Sequence, residues 1–236
     1  MITVGQVADY YDKFSDYELR YLAYPNRRLR RVHEHLRPLL SRGPASALDV
    51  GCGIGITSAW LAKRIPHVIG VDISPRSIEI ARKLHGRPKF FVAGLPDDPL
   101  PGGPYDLITL VDVVEHFRPG QLAEVFRRIG DVASLHAVVA VNAPSKLFAL
   151  RVNVEGGQII DEAIGVDEIV TAAAALGMEP LIVSRYGVDS MNQYVFCAFS
   201  DNYNLSSSVP TGIADRVKDR AWLVRNRFRR ARPAQF

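Results

Sequence analysis

One short stretch restricts this chain more than any other. Ala47-Leu48-Asp49-Val50 is apolar but for its aspartate, it stops at Gly51-Cys52-Gly53-Ile54-Gly55, and a helical pattern follows over 57–64. A short apolar run ended by glycines reads as a strand buried on both faces. Glycines at its carboxyl edge let the backbone come close to a ligand, in the crevice where open α/β sheets bind. Such a strand needs parallel neighbours and covering helices, and the rest of the chain supplies them.

Strand and helix patterns alternate through the sequence. A second strand over 68–71 ends at Asp72, a helix is predicted over 75–84, and a third strand over 90–92. A strand over 105–111, a helix over 119–129 and a buried strand over 137–141 continue the series, the last stopped by Asn142 and Pro144. Residues 145–165 have no clear period and hold Gly156-Gly157, so a long loop with at most one helical turn is expected over the ligand face. A helix over 167–176 closes at Gly177, a good residue for a left-handed cap. The last two strands, 180–186 and 194–199, lie too close for a helical crossover and must form an antiparallel hairpin. The expected fold is α/β: a Rossmann-like sheet of seven strands, mostly parallel, with a C-terminal antiparallel hairpin and helices on both faces.

At 236 residues and 47% hydrophobic content the chain can bury one substantial core. Its expected organisation is a helical lid over 1–44, with breaks at Pro25 and Pro38, a ligand-binding domain over 45–200, and a linker with a basic tail over 201–236. Neither a membrane-span pattern nor a signal-peptide order is present, so a cytoplasmic protein is expected. Cys52 and Cys197 cannot build a disulfide framework or a metal site at those spacings, and both are expected reduced and buried, with no metal. The charge of +4 is concentrated at Arg27, Arg28, Arg30 and Arg31 and from Arg216 to Arg232. Residues 213–232 combine Trp222, Leu223 and Phe228 with eight basic side chains. That segment is read either as an amphipathic helix docking on an anionic surface or as a solvated tail.

The glycine spacing separates cofactor classes. A dinucleotide fingerprint, GxGxxG, needs a sixth-position glycine for close helix packing, and Ile56 stands there; this chain reads GxGxG with an acid two residues upstream. Asp72, at the end of the second strand, suits a carboxylate accepting two hydrogen bonds from adenosine ribose hydroxyls; alone, it is equally a helix cap.

LDVGCGIG, then GVDIS, then YDLITLVDVVEH resembles the ordered motifs of the class I S-adenosylmethionine-dependent methyltransferases, in particular their small-molecule branch, over about residues 45–200. The resemblance implies S-adenosyl-L-methionine as cofactor. It makes Asp49 with Gly51, Cys52, Gly53 and Gly55 the cradle of the methionine part, Asp72 the ribose ligand, and Ile73 a cover for the adenine face. An aspartate common after the third strand is replaced by Ala93-Gly94, which passes the adenine contact to backbone around Gly94 and Leu95 or to Asp97. Val111 and Asp112 line the reactive end, followed by Glu115 and His116.

Methyl transfer needs above all an aligned acceptor, and secondarily a base if the acceptor is a hydroxyl. His116, read as the start of a helix and so biased to its neutral form, suits that base, with Asp112 as second candidate; a histidine bonded to nearby backbone is the other reading. Tyr11, beside Tyr10, resembles a lid tyrosine over the cofactor and equally an ordinary packed aromatic. The tetrapeptide that serves exocyclic amines of nucleobases is absent, so a small-molecule acceptor is expected and no nucleic acid, with oxygen ahead of nitrogen and carbon. Two other classes compete: a nucleotide-dependent oxidoreductase, disfavoured by Ile56 and the hairpin, and a non-catalytic cofactor-binding or partner subunit of the same fold. Oligomeric state is left open.

Overall fold

The computed structural model describes residues 4–23, 26–118, 120–152, 162–188 and 193–201. Two helices come first, α1 (Val4–Ala23) and α2 (Arg27–Leu36), the latter capped by the Asn26 side chain and prolonged by a 3₁₀ turn through Arg42. Then follow β1 (Ser46–Val50), α3 (Ile56–Leu61), β2 (His67–Asp72), α4 (Pro75–Leu84), β3 (Lys89–Val92) and β4 (Tyr105–Val111). A 3₁₀ turn (Val114–His116) leads to α5 (Gln121–Gly130), β5 (Ala133–Pro144), α6 (Lys146–Val152), α7 (Val166–Ala174), β6 (Glu179–Tyr186) and β7 (Tyr194–Ser200).

The seven strands form one sheet in the order β3-β2-β1-β4-β5-β7-β6. The first five are parallel, and β7 runs antiparallel to both β5 and β6. The order reverses between β1 and β4, so a crevice opens where the loops after those strands diverge. Period-two alternation divides the core. Leu48 and Val50 of β1 pack on one face with Phe126 of α5 and Ile169 of α7, while Ala47 packs on the other with Trp60 of α3 and Val32 and Leu36 of α2. Thus α2 belongs to the body of the fold, whereas α1 lies along α4.

The expected architecture stands, with four local corrections. First, β5 does not stop before Asn142: it continues to Pro144 because β7 lies antiparallel against it, pairing Asn142 with Phe196 and Pro144 with Tyr194. The hairpin is therefore inserted between β5 and the edge, with β7 inside and β6 outside. Second, the expected loop after β5 opens with the two-turn helix α6, started by Ser145, whose hydroxyl accepts from the Phe148 N–H at 3.4 Å. Third, α5 begins at Gln121, after Gly120 in a left-handed conformation. Fourth, Cys52 is partly exposed and only Cys197 is buried, its thiol pushed up to about 11 by that burial. The basic segment 213–232 lies outside the described residues. No helix among the described residues is long and apolar enough to cross a membrane.

Candidate active site

The loop after β1 turns tightly over the sheet edge. Gly51 sits at φ +64°, and a Cβ there would clash with the Val113 side chain, so the bare loop backbone packs directly on the segment after β4. Gly55 sits at φ +79°, and its missing side chain leaves room for the Phe90 ring. His85 holds the same loop from α4's end through its ring nitrogen and the Ile54 carbonyl, 3.1 Å apart.

Asp72 closes β2 with both carboxylate oxygens engaged. Oδ2 accepts from the Gly53 N–H at 2.8 Å and Oδ1 from the Ser74 N–H at 2.9 Å. One buried carboxylate thus binds the glycine loop to the turn before α4, where Ser74 is the N-cap. Burial raises its pKa, and the Asp12 charge adds to the rise. Ile73 follows, and a Cβ on Gly94 would come within 3.0 Å of its Cγ1, so these two residues face one another across the ends of β2 and β3. The Gly94 N–H donates to the carboxylate of Asp98, at 2.8 Å. Leu95 packs partly buried against the main core.

Asp49 lies beneath the loop, 1% exposed. Ser58 Oγ donates to one of its oxygens and Thr109 Oγ1 to the other, each at 2.6 Å. Burial pushes its carboxyl up to about 6 despite those bonds, so the folded protein keeps the proton over an interval in which the unfolded chain has lost it. Between about pH 4 and pH 6 this group lowers stability as pH rises. His85 has the opposite slope: burial pushes it down to about 4, so its contribution grows as pH rises from there to about 6.5. The two nearly cancel. Asp49→Asn should therefore raise the unfolding free energy of the ligand-free protein at pH 7.5 by about 1–2 kcal/mol. The gain should vanish below about pH 4, leaving a variant whose stability climbs with pH across that interval. Denaturant unfolding from pH 3.5 to 8 reads both effects, and a pH-independent difference would exclude a buried titrating Asp49.

After β4, Val111 is partly buried and Asp112 adopts φ +57°, a left-handed conformation unusual for a residue with a side chain. A polar network holds it there. Asp112 N–H donates to the Asn142 carbonyl at 2.8 Å, Asn142 Nδ2 donates to Asp112 Oδ1 at 2.8 Å, and Arg28 Nη1 pairs with Oδ2 at 2.8 Å. Tyr186 Oη completes the set by donating to Asn142 Oδ1 at 2.6 Å. Burial raises the pKa of both Tyr186 and Tyr194, with the Asp112 charge contributing, and the two rings stack at 5.6 Å. Both remain neutral phenols at physiological pH.

His116 ends the 3₁₀ turn after β4; α5 starts five residues later, so the histidine is not at a helix start, contrary to expectation, and among the described residues no α-helix N-terminus acts on it. Its ring lies 5.4 Å from that of Tyr11, which makes an edge contact with Tyr10 at 5.3 Å. Helix α1 thereby reaches the segment after β4. Glu115 points inward, 3% exposed, and its carbonyl accepts from the Glu162 N–H.

The fold brings Tyr11, Asp49, Gly51, Cys52, Gly53, Gly55, Asp72, Ile73, Gly94, Val111, Asp112 and His116 to the carboxyl edge of the sheet. Sequence reasoning missed Asp12, Ser74, Arg28, Tyr186 and Tyr194. Arg28 was visible only as one member of a basic cluster. The tyrosines bracket the hairpin turn, a signal that means nothing until β7 is known to lie beside β5. Among the described residues no cluster of histidine, cysteine, aspartate and glutamate could hold a metal ion.

A family model described as a methyltransferase domain matches residues 47–134. The magnesium-protoporphyrin O-methyltransferase of Rhodobacter capsulatus is 28% identical over 164 residues, 62% of this chain and 72% of that protein. The ubiquinone biosynthesis O-methyltransferase of Bordetella pertussis is 32% identical over 151 residues, 56% of this chain and 61% of its own length. Among solved structures, the magnesium protoporphyrin IX methyltransferase of Synechocystis PCC 6803 with bound SAH superposes with a TM-score of 0.66. It is 17% identical and covers 85% of this chain and all of its own, a likeness of fold.

Proposed function

We propose that the chain is an S-adenosylmethionine-dependent methyltransferase, a reading supported by its match to a methyltransferase-domain model and by its relatives, and that it methylates an oxygen of a small-molecule acceptor, nitrogen being the next acceptor atom. The observation that carries the reading is the Asp72 carboxylate, fixed between the α4 cap and the bare glycine loop that borders the crevice where the strand order reverses. These residues fit an adenosyl cofactor. Asp72 takes the ribose hydroxyls, Ile73 and Gly94 with Leu95 flank the base, and Gly51 to Gly55 admit the methionine portion to the backbone. Asp49, once ionised, places a negative charge under that portion.

When bound, the cofactor supplies an electrophilic methyl on a sulfonium sulfur. The protein's part is to align the acceptor and to receive its proton. His116 is assigned that proton, and Tyr11 covers it from α1. Asp112 is assigned a positioning role, since Arg28 and Asn142 already engage both of its oxygens. The oxygen preference is supported by two relatives named as O-methyltransferases and is consistent with the assignment of His116 as a base.

Calorimetry with S-adenosylhomocysteine is expected to give micromolar or tighter binding. Incubation with S-adenosylmethionine and a panel of phenols, carboxylic acids and amines is expected to yield a product one methyl heavier. No binding would sink the cofactor assignment; binding without transfer to any class would favour the non-catalytic reading.

A further inference from the structure

A carboxylate of helix α1 reaches the cofactor side of the sheet. Asp12 Oδ1 accepts from Ser74 Oγ at 2.5 Å and from the Arg76 N–H at 3.1 Å. These donors belong to the cap and first turn of α4, where unsatisfied N–H groups and the macrodipole favour an anion. Ser74 works in three directions at once. Its hydroxyl donates to Asp12 and accepts from the Ser77 N–H at 2.9 Å, while its own N–H donates to Asp72. Since Asp72 also accepts from Gly53, an unbroken series of hydrogen bonds runs from α1 through Ser74 to the ribose carboxylate and the glycine loop.

The neighbouring residue points the other way. Tyr11 reaches the ring of His116, on the segment after β4, while Asp12 is held at α4, after β2. Strands β2 and β4 flank β1, so this one turn of α1 bridges the crevice above the glycine loop. Ser15 braces the turn by donating its hydroxyl to the Asp12 carbonyl at 2.7 Å.

Resting on the cofactor assignment above, we propose that Asp12 is a positioning residue, a latch that closes α1 over the crevice and holds Tyr11 above the bound adenosyl ligand. Residues 10–12 carry the device in sequence: two aromatics to cover and an acid to fasten. An asparagine at 12 keeps an oxygen for both donors, whereas an alanine removes the fastening and leaves the hydrogen bonds from Gly53 and Ser74 to Asp72 in place.

The test uses the full chain and S-adenosylhomocysteine as probe, with two readouts. Asp12→Ala should weaken binding about tenfold or more, as expected for two hydrogen bonds to a charged acceptor. In the ligand-free protein it should speed amide exchange in α1 by a similar factor, with β1 and β4 unchanged. Asp12→Asn should recover affinity to within about threefold of the wild type, a rescue that loss of charge alone does not explain. Asp12→Leu, a second strong helix former with no acceptor to offer, carries the expectation of the alanine variant should that one fail to fold. Binding by Asp12→Ala within about twofold of the wild type, or α1 exchange unaltered, would overturn the latch. If the wild type takes up no S-adenosylhomocysteine, the methyltransferase reading falls, and ligand-free exchange then decides the latch by itself.

Discussion

His116→Ala is expected to lower turnover about 10²–10⁴-fold while leaving S-adenosylhomocysteine affinity nearly intact, the effect of removing a positioned base. The ring hangs from the end of a 3₁₀ turn whose backbone is held independently, by the His116 N–H to the Val113 carbonyl at 3.0 Å. Truncation should therefore leave the turn in place. It removes a partner of Tyr11 but none of the bonds that hold Asp72 or the glycine loop. Asp112 is poorly placed to substitute, because Arg28 and Asn142 occupy its two oxygens. His116→Gln sharpens the test: glutamine keeps hydrogen-bonding capacity but cannot take a proton, so it should fail nearly as badly as alanine if the histidine is a base. Turnover within about threefold of the wild type in both variants would leave His116 a structural residue.

Asp72→Ala is expected to cost about 1.5–3 kcal/mol of S-adenosylhomocysteine binding, roughly 10- to 150-fold in affinity, the range for hydrogen bonds to a charged acceptor. Two losses combine. The ribose hydroxyls lose their acceptor, and the N–H groups of Gly53 and Ser74 lose theirs in a site where Asp72 is only 8% exposed. Asp72→Asn separates them in part, since one oxygen remains but the amide faces an N–H donor instead of accepting from it. It should rank between wild type and alanine in affinity. Calorimetry alongside denaturant unfolding distinguishes a ligand contact from a scaffold: unchanged affinity in the alanine variant would remove the ribose assignment, whatever happens to stability.

Both predictions concern residues visible before any fold was known, and the reason is local. Asp49, Asp72 and the glycine loop stand at the ends of strands, and strand ends can be read from where a short apolar run meets glycine or a capping residue. The helix over 75–84 was legible to the residue because Ser74 and Pro75 open it and its apolar positions recur at helical spacing. His116 came from the same kind of reading, but its setting did not. Whether a histidine begins a helix or ends a 3₁₀ turn depends on how β4 is released at Asp112, in a left-handed conformation that the Asn142 and Arg28 contacts hold.

The amino-acid sequence by itself determined the alternation of strands and helices, the parallel sheet with its closing hairpin, and the residues at the carboxyl ends of β1, β2 and β4. Each of these follows from side-chain periodicity and backbone preference within some ten residues. Only the tertiary structure decided that β7 lies between β5 and β6, which carries β5 on to Pro144 and brings Tyr186 and Tyr194 beside Asn142. It also decided that Arg28, from a basic cluster that reads as solvated, pairs with Asp112, and that Asp12 fastens α1 to α4. Those contacts join residues 62 to 84 positions apart, or 44 in the case of Tyr186 and Asn142. No local pattern encodes such pairings; they follow from which buried faces cover one another once the whole sheet has assembled.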